Sequence, residues 1–189
     1  METKERAAKL ILLIGYNGTG KSTVLRKLII NELKKPDGRA LIVTPDDIEF
    51  PTIEFVHPNW PERIKSYKGV RKIVYFPGLL DIIKDNFRGG LLAFDDCRAY
   101  LGAGTEMELH NLLIRRRQKS IDIVAVGHGF TEIPPKFFTF ASEIVLFKTA
   151  DKIDRRKNVI KDFEYMKQQQ AEVNREALKN PYHYVILKQ

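Results

Sequence analysis

Short apolar runs alternate with amphipathic segments along the chain. Leu10–Ile14 is uninterrupted apolar and predicts a buried strand. Lys21–Leu33 carries Val24, Leu25, Leu28, Ile29 and Leu33 at helical spacing, and Lys-Lys-Pro-Asp-Gly then stops the helix. Ala40–Thr44 predicts a second strand. Residues 46–71, with three prolines and a charged run from Arg63 to Lys72, predict an insertion or long loop with short elements of its own. Lys72–Phe76 predicts a third strand, Leu79–Phe87 a short helix, and Leu91–Phe94 a fourth strand entered through Gly89-Gly90 and ending in Asp95-Asp96. Glu106–Arg117 predicts a helix with Thr105 as its N-cap. Ile121–Val126 and Glu143–Phe147 predict strands five and six, with a turn at Pro134-Pro135 between them. The last segment, 151–189, predicts a long polar helix over Asp154–Leu178 and a closing, possible edge strand over Tyr182–Leu187. Strands alternating with helices predict one α/β domain over 1–189, with a mostly parallel sheet covered on both faces.

Composition narrows the class. Of 189 residues, 43% are hydrophobic and 30% charged, enough apolar matter for a core. The net charge of +8 favours a polyanionic partner such as nucleic acid. The only cysteine, Cys97, excludes an internal disulfide and fits a reducing, cytoplasmic setting. No apolar run reaches the roughly 18 residues of a membrane span. The charged METKERAAK start followed by a brief apolar run that enters a glycine loop argues against a signal peptide.

The strongest chemical signal is Gly15-Tyr16-Asn17-Gly18-Thr19-Gly20-Lys21-Ser22, followed by Thr23, which matches G-x-x-x-x-G-K-[ST] between a strand and a helix. The glycines let backbone N–H groups turn inward around phosphate oxygens, and the helix N-terminus adds partial positive charge there. Lys21 is expected to neutralise the β- and γ-phosphates of ATP, and Ser22 to ligate Mg²⁺. Asp95 and Asp96 stand at the C-terminal tip of an apolar strand, where open α/β sheets bind ligands. Asp95 is expected to hold Mg²⁺ through water and Asp96 to polarise the attacking water. Two strand candidates, 40–44 and 72–76, separate the phosphate loop from this acidic strand in sequence. At least one strand is therefore expected between them in the sheet, as in the RecA-like (ASCE) branch of P-loop NTPases. Small kinases and GTPases place the two side by side.

The stretch Leu112–Gly129, LLIRRRQKSIDIVAVGHG, resembles the matching segment of the FtsK–HerA superfamily of DNA-pumping ATPases. There a helix ends in an arginine, a turn and an apolar strand follow, and a polar sensor residue caps the strand. Phage assembly proteins resembling the zonula occludens toxin and genome-packaging ATPases of membrane-containing viruses share this layout. The resemblance covers residues 8 to 150. It implies that Arg117, more than Arg115 or Arg116, reaches a neighbouring subunit's nucleotide, and that His128 senses the γ-phosphate or orients the water. His128 stands where the family usually has glutamine, and Asp96 where it usually has glutamate. Both departures bear on catalytic rate more than on binding. The bare sequence also admits Arg115–Arg117 as a charge cluster complementing the helix dipole, and His128 as a structural histidine. No LSGGQ-like signature of ABC transporters occurs.

The resemblance implies an ATP-hydrolysing motor that translocates or packages DNA, a homo-oligomer in a hexameric ring, a virion or capsid partner, and a cytoplasmic or virion-associated location. Trp60–Lys72 interleaves aromatic and basic residues and is a candidate DNA contact, as well as an ordinary surface loop. Asp46-Asp47 reads as a turn, and supports the alternative of a nucleotide or small-molecule kinase. A third reading is an ATP-binding assembly module without turnover.

Overall fold

A computed structural model describes residues 8–189; the charged N-terminal residues 1–7 lie outside that range. The strands are β1 (Leu10–Ile14), β2 (Arg39–Thr44), β3 (Glu54–Phe55), β4 (Gly69–Val74), β5 (Gly90–Phe94), β6 (Ile121–Gly127), β7 (Glu143–Phe147) and β8 (Tyr184–Lys188). The helices are α1 (Lys21–Leu33), α2 (Leu79–Asn86), α3 (Glu106–Arg115), α4 (Pro135–Phe140) and α5 (Phe163–Glu176). One eight-stranded sheet runs in the order β3-β4-β2-β5-β6-β1-β7-β8. Every pairing is parallel except β7 with β8.

The uninterrupted apolar runs are explained by burial on both faces. Leu10, Leu12 and Ile14 of β1 pack into a core shared with α2, α3 and α4 through Leu80, Ile83, Leu112, Leu113 and Phe137. The alternate residues Ile11 and Leu13 face a smaller core closed by Leu25 and Ile29 of α1. These side chains are buried, each contributing about 1.5–3 kcal/mol of transfer free energy. The parallel sheet covered on both faces is the architecture expected from the alternating pattern.

Several boundaries need correction. The strand expected at Lys72–Phe76 begins earlier and ends at Val74, because its register is set by β2, Arg39 against Gly69 and Thr44 against Val74. Its charged positions find partners locally. Arg71 pairs with Glu54 at 3.0 Å, and Lys72 is buried with its ammonium 2.7 Å and 2.6 Å from the carbonyls of Asp47 and Glu49. The segment 46–71 thus includes β3 and the first residues of β4 as well as loop. Pro134-Pro135 is not a plain turn: Pro135 occupies the first helical position of α4. The helix expected from Asp154 to Leu178 begins only at Phe163, after a separate 3-10 turn over Ile153–Arg156 and a left-handed Asp162 (φ 48°). Arg155, Arg156 and Lys157 therefore do not crowd the start of α5. Arg156 instead donates to the carbonyls of Phe130 (2.9 Å), Thr131 (2.9 Å) and Ile133 (3.1 Å), while Asp154 pairs with Lys167. Thr105 precedes α3, but its hydroxyl donates to Gly102 (2.9 Å) and makes no cap hydrogen bond.

Candidate active site

The C-terminal ends of β1, β5 and β6 open into one cleft of about 510 Å³. The strand between β1 and β5 is β6, not 40–44 or 72–76, which lie beyond β5. One strand is interposed, as expected, but it is the one that carries His128 at its exit.

The loop from Gly15 to Gly20 is fixed by both neighbours of β1. Gly15 N–H donates to Gly127 (3.2 Å) and Tyr16 N–H to Lys148 (2.9 Å). Gly18 and Gly20 take φ of 77° and 102°, left-handed values that open the turn. Thr19 closes it by donating to the Tyr16 carbonyl at 2.8 Å. Asn17, Gly18, Gly20, Lys21, Ser22 and Thr23 line the cleft, whereas Gly15 and Thr19 support the loop from behind. No acidic residue stands in the first turn of α1, so the positive end of its dipole meets the cleft unopposed from its own helix.

Lys21 is buried, and its ammonium donates to the carbonyls of Gly15 and Tyr16, the latter at 2.8 Å. Burial lowers its pKa, while the carboxylates of Asp95, Glu132 and Asp96 act in the opposite sense. His128 Nδ1 lies 3.4 Å from the same ammonium, and His128 Nε2 lies 3.8 Å from Asp96 Oδ1. The imidazole therefore stands between the loop cation and the second acid of the doublet.

Asp95 and Asp96 occupy different environments. Burial, reinforced by the charges of Glu49 and Asp96, pushes the Asp95 carboxyl up to about 6. The Asp95 backbone is pinned, its N–H donating to Val43 (3.0 Å) and its carbonyl accepting from the buried Tyr100 hydroxyl (2.9 Å). Asp96 is in the left-handed region, φ 44°, a conformation aspartate tolerates better than most residues. That bend turns the chain directly after β5.

Sequence reasoning missed two acids. Glu49 lines the cleft, brought there by the loop that Lys72 grips. Glu132 accepts from the His128 backbone N–H at 3.1 Å and pairs with Arg98 at 2.8 Å. Neither has a local signature: Glu49 reaches the cleft across a loop of no regular period, and Glu132 holds the His128 backbone without lining the cleft. Asp46 forms the turn expected of it, accepting from Ile48 N–H at 3.0 Å.

The three arginines separate. Arg116 is buried at the end of α3 and donates to Leu113 (2.6 Å) and Phe140 (3.2 Å), so its work is structural. Arg115 and Arg117 are exposed. Arg117 precedes β6, whereas His128 follows it, so about 20 Å of strand separates Arg117 from its own cleft. Arg117 is therefore out of reach of its own cleft. Within 60–72, Tyr67 lies under Arg39 and Arg71, and Lys72 is buried. That leaves Trp60, half-exposed beneath Arg63 at 5.0 Å, as the accessible aromatic–basic pair.

The residues fit a nucleoside triphosphate accompanied by a divalent cation. The glycine turn and buried Lys21 suit a polyphosphate, and the crowded acids Glu49, Asp95 and Asp96 suit positive charge nearby. Among the described residues no three His, Cys, Asp or Glu side chains converge on a metal position. Ser22, with phosphate oxygens and water, would hold such a cation.

No protein-family profile matches the chain, and no curated protein matches it. Solved structures do. The chain is similar to the genome packaging NTPase B204 from Sulfolobus turreted icosahedral virus 2 in complex with AMPPCP, at 15% identity over 96% of this chain and 92% of that one, TM-score 0.72. It is similar to the N-terminal domain of zonular occludens toxin from Neisseria meningitidis, at 19% identity over 76% and 78%, TM-score 0.50. The pCW3 conjugation coupling protein TcpA, with ATPγS, matches at 14% identity over 82% of this chain and 52% of that one, TM-score 0.53. These likenesses show the fold: the chain has the P-loop NTPase fold of all three. The fold expected from the resemblance over residues 8 to 150 is borne out, and both protein types named there are among the neighbours. No described helix is long and apolar enough to cross a membrane.

Proposed function

We propose that the protein hydrolyses ATP to drive DNA movement, most specifically the packaging of a viral genome. One observation carries the reading: Lys21, Asp95, Asp96 and His128 meet in one cleft, with β6 interposed between β1 and β5. The similarity of nearly the whole chain to a genome packaging NTPase supports the packaging part.

Bound ATP supplies the reacting phosphoryl group and Mg²⁺ offsets its charge. Lys21 holds the terminal phosphates, with the loop N–H groups of Gly18–Thr23 around them. Ser22 through its hydroxyl, and Asp95 through water, would hold Mg²⁺, which would offset charge on the terminal phosphates. Asp96, freer and next to His128, accepts the proton of the attacking water. His128 touches both Lys21 and Asp96 and aligns that water against the terminal phosphate. Arg117 completes the cleft of a neighbouring subunit, which makes a ring, a hexamer by resemblance, the working unit. The net charge of +8 and the exposed Trp60–Arg63 pair suit a polyanion. A capsid-side partner and a place in the host cytoplasm or virion follow from the packaging role.

The test is Mg²⁺-dependent ATP hydrolysis with and without double-stranded DNA, using Lys21→Ala as control. The expected result is turnover that DNA stimulates and Lys21→Ala abolishes. Turnover only with a second phosphoryl acceptor sinks the motor in favour of a kinase. Binding without turnover, with or without DNA, leaves an assembly module.

A further inference from the structure

Sheet order sets the two flanks of the cleft apart. Running from β5 through β6 to β1, it carries the acids, His128 and the phosphate loop. Beyond β1 lie β7 and β8, and from the turn entering β8 one more residue reaches the same cleft: Tyr182. No motif pointed to it.

The turn that presents Tyr182 is organised before any ligand arrives. Asn180 accepts from the Tyr182 N–H through its side chain (3.1 Å) and from the His183 N–H through its carbonyl (2.9 Å). Pro181 fixes the backbone between them. Tyr184, the first residue of β8, packs on Phe147 of β7 with ring centroids 5.0 Å apart. Tyr182 itself leaves 63% of its surface open, yet its ring edge comes within 3.6 Å of where a Cβ on Gly20 stands. An aromatic face is thus held at the entrance of α1, beside Gly20, Ser22 and Thr23, and across the loop from Asp95 and Asp96.

A triphosphate in this loop has a direction. Its terminal phosphate points to the acids and His128, so its nucleoside leaves by the opposite flank. Two strand spacings, about 10 Å, separate β1 from β8 on that side. We infer that Tyr182 is the stacking platform for the base of the bound nucleoside triphosphate, binding a purine by its face. The inference rests on the reading of the cleft as a nucleoside triphosphate site. Stacking is tolerant of base identity because every base has a π-face. The site therefore prefers the larger purine surface over pyrimidines without sharply separating adenine from guanine.

The experiment measures equilibrium affinity by displacement of a ribose-labelled fluorescent ATP, with ATP, CTP and inorganic tripolyphosphate as competitors in Mg²⁺. Loss of base–aromatic stacking costs about 5- to 150-fold; for a ring this exposed the lower part of that range applies. Tyr182→Ala is expected to weaken ATP roughly tenfold, to leave tripolyphosphate within twofold, and to remove the preference of ATP over CTP. Tyr182→Phe, which keeps the ring, is expected to restore both the ATP affinity and its preference over CTP. Lys21→Ala is expected to weaken ATP and tripolyphosphate together. Parental ATP affinity in Tyr182→Ala, with Lys21→Ala impaired, overturns the base platform and leaves the phosphate site standing. Equal weakening of ATP and tripolyphosphate in Tyr182→Ala also overturns it, by assigning Tyr182 to loop shape. Parental protein that binds none of the three competitors removes the triphosphate reading and this inference with it.

Discussion

Gly15→Ala tests how the phosphate loop is held. A Cβ at Gly15 falls 2.5 Å from Phe147 Cβ and 3.2 Å from both the Lys148 carbonyl and the Thr19 hydroxyl. Carbon atoms prefer about 3.5–4.0 Å, so one partner must yield by about 1 Å or more. Phe147 is buried in β7 and its Cβ belongs to the strand, so it has no rotamer of escape. The loop is the softer side. Overpacking of this kind costs about 1–3 kcal/mol. For a chain of this size each kcal/mol lowers Tm by about 2–4 °C, so a fall of roughly 2–12 °C is expected. Misplacement by 1 Å can also cost about 100-fold in rate. Thermal unfolding monitored by circular dichroism, together with ATP affinity and turnover, reads both effects. The expected variant melts earlier and loses turnover out of proportion to its stability. Parental turnover in a variant that has lost stability shows that the loop did not move, and refutes the argument.

Four further variants probe the acids and arginines. Asp96→Asn is expected to bind ATP and stop hydrolysing it, while Asp95→Asn also raises the Mg²⁺ concentration needed for binding; parental rates in both would remove the doublet from the mechanism. Arg117→Ala is expected to bind ATP, assemble, and turn over about 10³-fold slower. Mixing it with Lys21→Ala is expected to restore part of the activity, and co-assembly without rescue counts against action in trans. Arg116→Ala removes a buried cation that donates to Leu113 and Phe140. It is expected to cost about 2–3 kcal/mol in denaturant titration with turnover per folded molecule unchanged; a selective loss of turnover would move Arg116 into the site.

Legibility in the sequence followed range. β1, the glycine loop and α1 are legible because strand, turn chemistry and helical period are local, and α1 has the boundaries its spacing predicts. The start of β4 was obscured by Gly69 and Arg71, which read as loop until Glu54 is seen to pair with Arg71. α5 was overextended because Ile153 and Ile160 keep a helix-like spacing while being buried by turns. In the cleft, Lys21 could be named from the glycine motif, and Asp95, Asp96 and His128 because each stands at a strand exit. Glu49 and Tyr182 could not, because only tertiary structure brings their loops to the cleft. The interposed strand was expected for a reason the fold does not share. Strands before β5 in sequence went to its far side, and a later one came between.

The pairing partners of β1 carry a consequence for biosynthesis. Leu10 lies opposite Ile123, 113 residues onward, and the other neighbour of β1 begins only at Glu143. At about 5–20 residues per second, a ribosome leaves this apolar strand unpaired for roughly 6–25 s after making it. Strands β2, β4 and β5 can meet during that interval. The nucleotide site is therefore assembled last, and nascent chains halted before β7 should carry the whole glycine motif and yet retain no ATP. For that interval LILLI is a short β-prone segment without charge, the kind a chaperone must shield or a neighbouring chain will capture.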